Sequence, residues 1–154
     1  MKKIWENPTK EKLFQKLKKD LEKITGGSIE IVIKRTLLLK DELLSFNILL
    51  YKEYIFDEIG FWDMITMPGC CGILISMNAI VMPKFRNKKI GKLLNQFRID
   101  YAKEMGYGVL LCTDVSSNSI QQKILTNNGW EELLEFQNPR TKNKVKIHAI
   151  KLDV

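Results

Sequence analysis

The segment GILISMNAIVMP, residues 72–83, constrains the fold more than any other stretch of this chain. It is too apolar and too short for a surface helix, so it reads as a buried strand that ends at Pro83. The basic turn KFRNKK follows, and then Ile90, Leu94, Phe97 and Tyr101 fall on one helical face, with Leu93 and Ala102 beside them and Gly106 as a stop. Residues 109–115 form a second apolar strand. Ser116, Ser117 and Asn118 supply capping residues for a short helix marked by Ile120, Ile124 and Leu125 and closed by Asn128 and Gly129. The middle of the chain is therefore β-α-β-α.

The flanks can be read from this centre. Leu13, Phe14, Leu17, Leu21 and Ile24 stand at helical spacing among lysines over residues 8–24, and Gly26-Gly27 ends that run. Ile29, Ile31 and Ile33 then alternate as a strand over residues 29–36, and Leu44, Phe46, Ile48 and Leu50 repeat the pattern after the polar break Lys40-Asp41-Glu42. A third strand is expected at residues 54–59, whereas the stretch through Trp62, Met67, Pro68 and Gly69 shows no clear period. Residues 130–136 and 145–152 alternate as two strands around the polar loop QNPRTKNK. With 154 residues, 45% of them hydrophobic, the chain is expected to form one mixed α/β domain spanning residues 1–154.

Composition narrows the chemistry. Cys70 and Cys71 are adjacent, Cys112 stands alone and His148 is the sole histidine, so neither a disulfide framework nor a zinc site is expected. The N-terminus has lysines without a following apolar stretch, and nowhere do eighteen apolar residues run together. A soluble cytoplasmic protein with no membrane partner is expected. A net charge of +7 and a pI near 9.3 favour anionic partners. The lysines between apolar positions of the first helix read as the solvated face of a packed helix.

The charge that most needs explaining is the cluster Arg86, Lys88, Lys89 and Lys92 at the strand-to-helix junction. A helix N-terminus presents unpaired N–H groups and a partial positive charge, so a phosphate is stabilised there if the backbone can approach it, and Gly91 permits that approach. Successive N–H groups over residues 87–92 can form a pyrophosphate cradle. Neither the dinucleotide fingerprint nor the P-loop pattern is present.

These residues carry a family resemblance. The segment AIVMPKFRNKKIGKLL resembles the acyl-CoA-binding motif of the GNAT acyltransferases, in which a strand and a proline precede an Arg/Gln-x-x-Gly-x-Gly/Ala turn and a helix. Arg86 matches the first position of that turn and Gly91 the last. The segment VLLCTDVSSNSIQQKILTNNGW resembles the next strand, the Asn-led helix and the closing Gly-aromatic pair, with Asn118 and Gly129-Trp130 in register. Together the matches cover about residues 72–130. There are two departures. Lys89 stands where the turn has its first glycine, and Leu125 stands where many members carry a tyrosine that protonates the departing thiolate, so no tyrosine acid is carried over.

The resemblance implies a central mixed, mostly antiparallel sheet flanked by helices and an N-acetyltransferase that uses acetyl-CoA as co-substrate without a metal. It places the pyrophosphate at Arg86, Asn87, Lys88, Lys89, Ile90, Gly91 and Lys92, with Asn118 on the facing helix. The pantetheine arm would pair with backbone groups of Ile80, Val81 and Met82, and an N–H near Val81 would polarise the thioester carbonyl. An amine then attacks the thioester directly. Glu58 and Asp63 are candidate proton acceptors through water, and Asn78 and Ser76 can hold that water. Cys112 lies beside the presumed thioester, although an isolated cysteine in an apolar strand is more often a small core residue than a nucleophile. His148, on a late strand, reads as structural or solvent-facing rather than as the base.

The acceptor amine could belong to a small molecule, peptide, protein or aminoacyl-tRNA, and beyond tRNA no nucleic-acid partner is expected. The late strands can pair between subunits as a homodimer. Two other readings compete: a degenerate protein that binds acyl-CoA without turnover, which Lys89 and Leu125 would suit, and a basic nucleic-acid-binding module. The second lacks aromatics interleaved with its basic residues.

Overall fold

The computed structural model describes residues 8–38 and 41–153, so residues 1–7 and Lys40 of the expected polar break lie outside the described residues. The first helix, α1, is Pro8–Thr25. Then come β1 (Ser28–Leu38), β2 (Asp41–Lys52), β3 (Ile55–Thr66) and β4 (Ile73–Val81), followed by a single 3-10 turn at Pro83–Phe85. The rest is α2 (Ile90–Glu104), β5 (Val109–Val115), α3 (Ser119–Asn127), β6 (Glu131–Gln137) and β7 (Lys144–Lys151). Each expected element is present. The seven strands form one sheet in the order β1-β2-β3-β4-β5-β7-β6.

The third strand is twice as long as its sequence pattern suggests. It runs on from the expected residues 54–59 to Thr66 because Trp62 and Met64 alternate inward, opposite Phe46 and Leu44 of β2. Gly60 breaks that pattern for a steric reason. A Cβ there would collide with the backbone carbonyl oxygen of Ile80 on β4, so no side chain fits at that crossing.

Helices α1 and α2 cover the sheet face that presents Phe46, Ile48, Trp62 and Met64, all 0–1% exposed. Phe46 stacks on Trp62 with ring centroids 4.7 Å apart, and Phe14 of α1 and Phe97 of α2 close on this pair from above. The opposite face of β2–β4 carries Asn47, Glu58, Phe61, Asp63 and Met77, each partly exposed. Strand alternation thus gives the sheet one apolar side and one mixed side.

Among the described residues only β4 and β5 pair in parallel. Their pairing covers four rows, Ile73–Val109 to Ser76–Cys112, and stops there although β4 continues to Val81 and β5 to Val115. Along the same stretch the β3–β4 register shifts between Phe61 and Asp63, and Asn78 takes a left-handed φ of 53°. An extra residue in one strand bends it away from its neighbour. The two parallel strands therefore fork after Ser76 and Cys112.

Candidate active site

The fork opens onto the basic turn. Past Val81, Phe85 N–H donates to the Met82 carbonyl and Arg86 N–H to the Pro83 carbonyl, and the first bond of α2 is Leu93 N–H to the Lys89 carbonyl at 3.1 Å. Among the described residues, the backbone N–H groups between these points, from Asn87 to Lys92, donate to no acceptor in the chain. Asn87 and Lys89 hold left-handed φ values of 61° and 63°, and the Lys89 backbone starts α2 without a side-chain cap. Residues other than glycine adopt this conformation at a cost of about 1 kcal/mol. Reversed dihedrals at alternate residues turn successive N–H groups toward one point, the geometry of an anion nest. Lys89 therefore supplies by strain the backbone shape that glycine supplies freely in the motif it resembles.

Gly91 is not demanded by the protein's own packing. A Cβ there would meet only Ile124 Cδ1 of α3, at an ordinary 3.5 Å. Lys84 is tied to Asp57 Oδ2 at 2.6 Å, and it and Lys88 lie 5.7 and 5.5 Å from the Phe85 ring centre. Arg86 Nε donates to the Val81 carbonyl at 3.0 Å, which moors the turn to the end of β4. Asn118 caps α3, its Oδ1 accepting from Gln121 N–H at 3.2 Å.

Strand alternation sorts the backbone groups of β4. Met82 N–H donates to the Ile59 carbonyl at 2.8 Å, and the Ile80 carbonyl lies against Gly60, so both residues direct their backbone toward β3. Val81, between them, faces the open side of the fork. Of the three residues expected along a pantetheine arm, Val81 offers its N–H there, while Ile80 offers its side chain, 41% exposed.

The candidate acid–base residues divide between the two faces. On the mixed face Asn78 Nδ2 donates to Asp63 Oδ2 at 2.8 Å, and Asn47 Nδ2 donates to Glu58 Oε1 at 2.7 Å. Each carboxylate is oriented by an amide. The left-handed turn at Asn78 brings its side chain to Asp63, against the simple alternation that would send it under α2. On the helix-covered face lie Ser76, Cys112 and His148, side by side across β4, β5 and β7 and 2–4% exposed. Burial pushes the Cys112 thiol up to about 12, against the opposing effect of nearby Arg98, so it is protonated at neutral pH and a poor nucleophile. His148 is buried rather than solvent-facing.

Two buried charged residues were not expected. Arg98 of α2 is 3% exposed, with Nη1 donating to Ser76 Oγ at 2.9 Å and Nη2 to Asn95 Oδ1 at 3.2 Å. Asp114 of β5 is 8% exposed, and burial raises its carboxyl pKa, partly countered by His148. The sequence held a signal for Arg98: it lies four residues after Leu94 and eight after Ile90, on the apolar stripe of α2.

No family model matches this chain, and no curated protein does. Solved structures do. An IAA acetyltransferase from Bacillus cereus aligns over 80% of this chain and 100% of its own, with 18% identity and a TM-score of 0.62. The ribosomal-protein-S18-alanine N-acetyltransferase from Escherichia coli aligns over 73% and 70%, with 16% identity and a TM-score of 0.59. The NatC complex bound to Gag peptide and CoA aligns over 71% of each chain, with 14% identity and a TM-score of 0.62. Others are described as GNAT-family acetyltransferases, including one from Bacillus anthracis at 20% identity. With the sheet order, the fork and the amide turn already described, these likenesses establish that the chain has the fold of the GNAT acetyltransferases.

Proposed function

We propose that the chain is an N-acyltransferase that moves an acetyl group from acetyl-CoA to an amine. One observation carries this reading: among the described residues the only parallel strand pair forks at Ser76 and Cys112, and the open side leads to a nest of N–H groups without acceptors at the start of α2. A thioester arm can lie along the fork with its pyrophosphate in that nest, flanked by Arg86, Lys88 and Lys92. Its support among the structural neighbours is that one of them is a complex with CoA.

In this reading the amine nitrogen approaches from the mixed face and attacks the thioester carbonyl carbon, while Val81 N–H receives the developing oxyanion. The ammonium proton passes through water to Asp63 or Glu58, and collapse breaks the C–S bond. Leu125, 0% exposed, stands where a phenolic acid would. A thiol with an ordinary pKa of about 8.5 leaves as thiolate without strong acid help, so its absence is tolerable.

The test is calorimetric titration of acetyl-CoA into the wild type and an Arg86→Glu, Lys88→Glu variant, followed by an amine screen that reads released thiol. Micromolar binding that weakens at least about tenfold in the variant is expected. No binding to the wild type would sink the proposal, and binding without turnover for any amine would leave a CoA-holding protein in place of an enzyme.

A further inference from the structure

Buried arginines normally face a carboxylate. Arg98 does not: among the described residues its partners are the neutral Ser76 hydroxyl and the neutral Asn95 amide oxygen, and its Nε has none. Burial lowers its pKa, which records the desolvation cost of keeping a cation there. Such a residue weakens the fold relative to an apolar side chain of similar size, so its position is informative.

That position is the last paired row of the fork. Ser76, which Arg98 grips from α2, is the final β4 residue that pairs with β5, and its row partner is Cys112. Arg98 is two turns into α2, about 12 Å along the axis from Ile90 at about 1.5 Å per residue. One side chain therefore links the helix whose first turn forms the amide nest to the strand whose next residues form the open edge with Val81.

We propose that Arg98 is a positioning residue that sets the spacing between the nest and the Val81 edge, and hence the distance between the phosphate end and the reacting end of the thioester. This rests on the acyl-CoA reading for its functional consequence but not for its structural one. A cation is suited to the task because its planar fork fixes direction through two hydrogen bonds, whereas an apolar side chain would only fill the space.

The experiment compares wild type, Arg98→Met and Arg98→Lys by three readouts. Without ligand, amide hydrogen exchange in Arg98→Met rises at least about tenfold over residues 77–81 and is unchanged over the aromatic core, while the melting temperature holds or rises because a desolvated cation has been removed. With adenosine 3′-phosphate 5′-diphosphate, which reaches the nest alone, the variant binds within about twofold of wild type. With acetyl-CoA and an accepting amine, kcat falls at least about tenfold, and Arg98→Lys recovers part of it. A lowered melting temperature with parallel loss of all functions would make Arg98 merely structural and overturn the proposal, as would unchanged exchange over residues 77–81. Failure of the wild type to bind the nucleotide would instead sink the acyl-CoA reading, leaving the exchange result to decide the structural link.

Discussion

The two arms of the sheet on either side of the fork are built differently. The arm before it, β1–β4, rests on a stack in which Phe46 and Trp62 lie 4.7 Å apart at 3°, closed over by rings from both covering helices. The arm after it, β5, β7 and β6, buries Cys112, Asp114 and His148 on the equivalent face, with Asp114 Oδ2 and His148 Nε2 lacking partners among the described residues. Its last strand, β6, is exposed along its whole length. The difference teaches where stability resides. The first arm holds β4 as a fixed reference, and the second accepts polar burial next to the place where a ligand would lie.

The contrast can be broken at four depths. Phe46→Ala removes a fully buried ring and should cost about 3–5 kcal/mol in urea unfolding. A loss of less than about 1 kcal/mol would mean the first arm is not the stable one. Next, the cysteines should separate by reactivity: exposed Cys70 and Cys71 alkylate readily at pH 8, while buried Cys112, with its thiol near 12, reacts about a thousandfold more slowly. Fast labelling at all three positions would show that the second arm opens freely.

Asp114 gives a smaller, pH-dependent effect. Burial raises its folded pKa above the ordinary carboxyl value of 3.8, so the folded state holds the proton more tightly, and the stability this contributes at low pH is lost as pH rises from the unfolded to the folded value. Asp114→Asn should therefore match wild type below pH 3.8 and exceed it at pH 7 when unfolding midpoints are compared across that range. Parallel curves would show that the burial has no energetic consequence. Last, Leu134→Ser on β6, 56% exposed, should change stability by no more than about 0.5 kcal/mol, and a larger loss would reveal that this strand is covered in solution.

Much of this was legible in the residues because it is written in local periods. Alternation marked β1 and β2, and the stripe Ile90, Leu94, Phe97 and Tyr101 marked α2. The nest could be inferred from charge and glycine beside a helix start. What stayed hidden depends on partners far apart in the chain. The insertion of β7 between β5 and β6 has no sequence period. Gly60 looked like a strand end because the Ile80 carbonyl that requires it is twenty residues away. The burial of Asp114 is likewise decided by neighbouring elements, while that of Arg98 was signalled only by its place on the apolar stripe of α2. Among the candidate site residues, the left-handed turn that pairs Asn78 with Asp63 was equally invisible, since asparagine permits it without announcing it.

The shortness of the parallel seam has a mechanical consequence. Four rows of about 3.3 Å span about 13 Å, and the part of β4 beyond them, which keeps its pairing with β3 but has lost β5, is of similar length, so this one-sided stretch is carried on a root about as long as itself. A rotation of about 5° at the seam would displace the tip by about 1 Å, the scale on which reacting groups gain or lose alignment. Pressure, temperature or a substitution beneath the seam would then tune the chemistry at the tip without touching it.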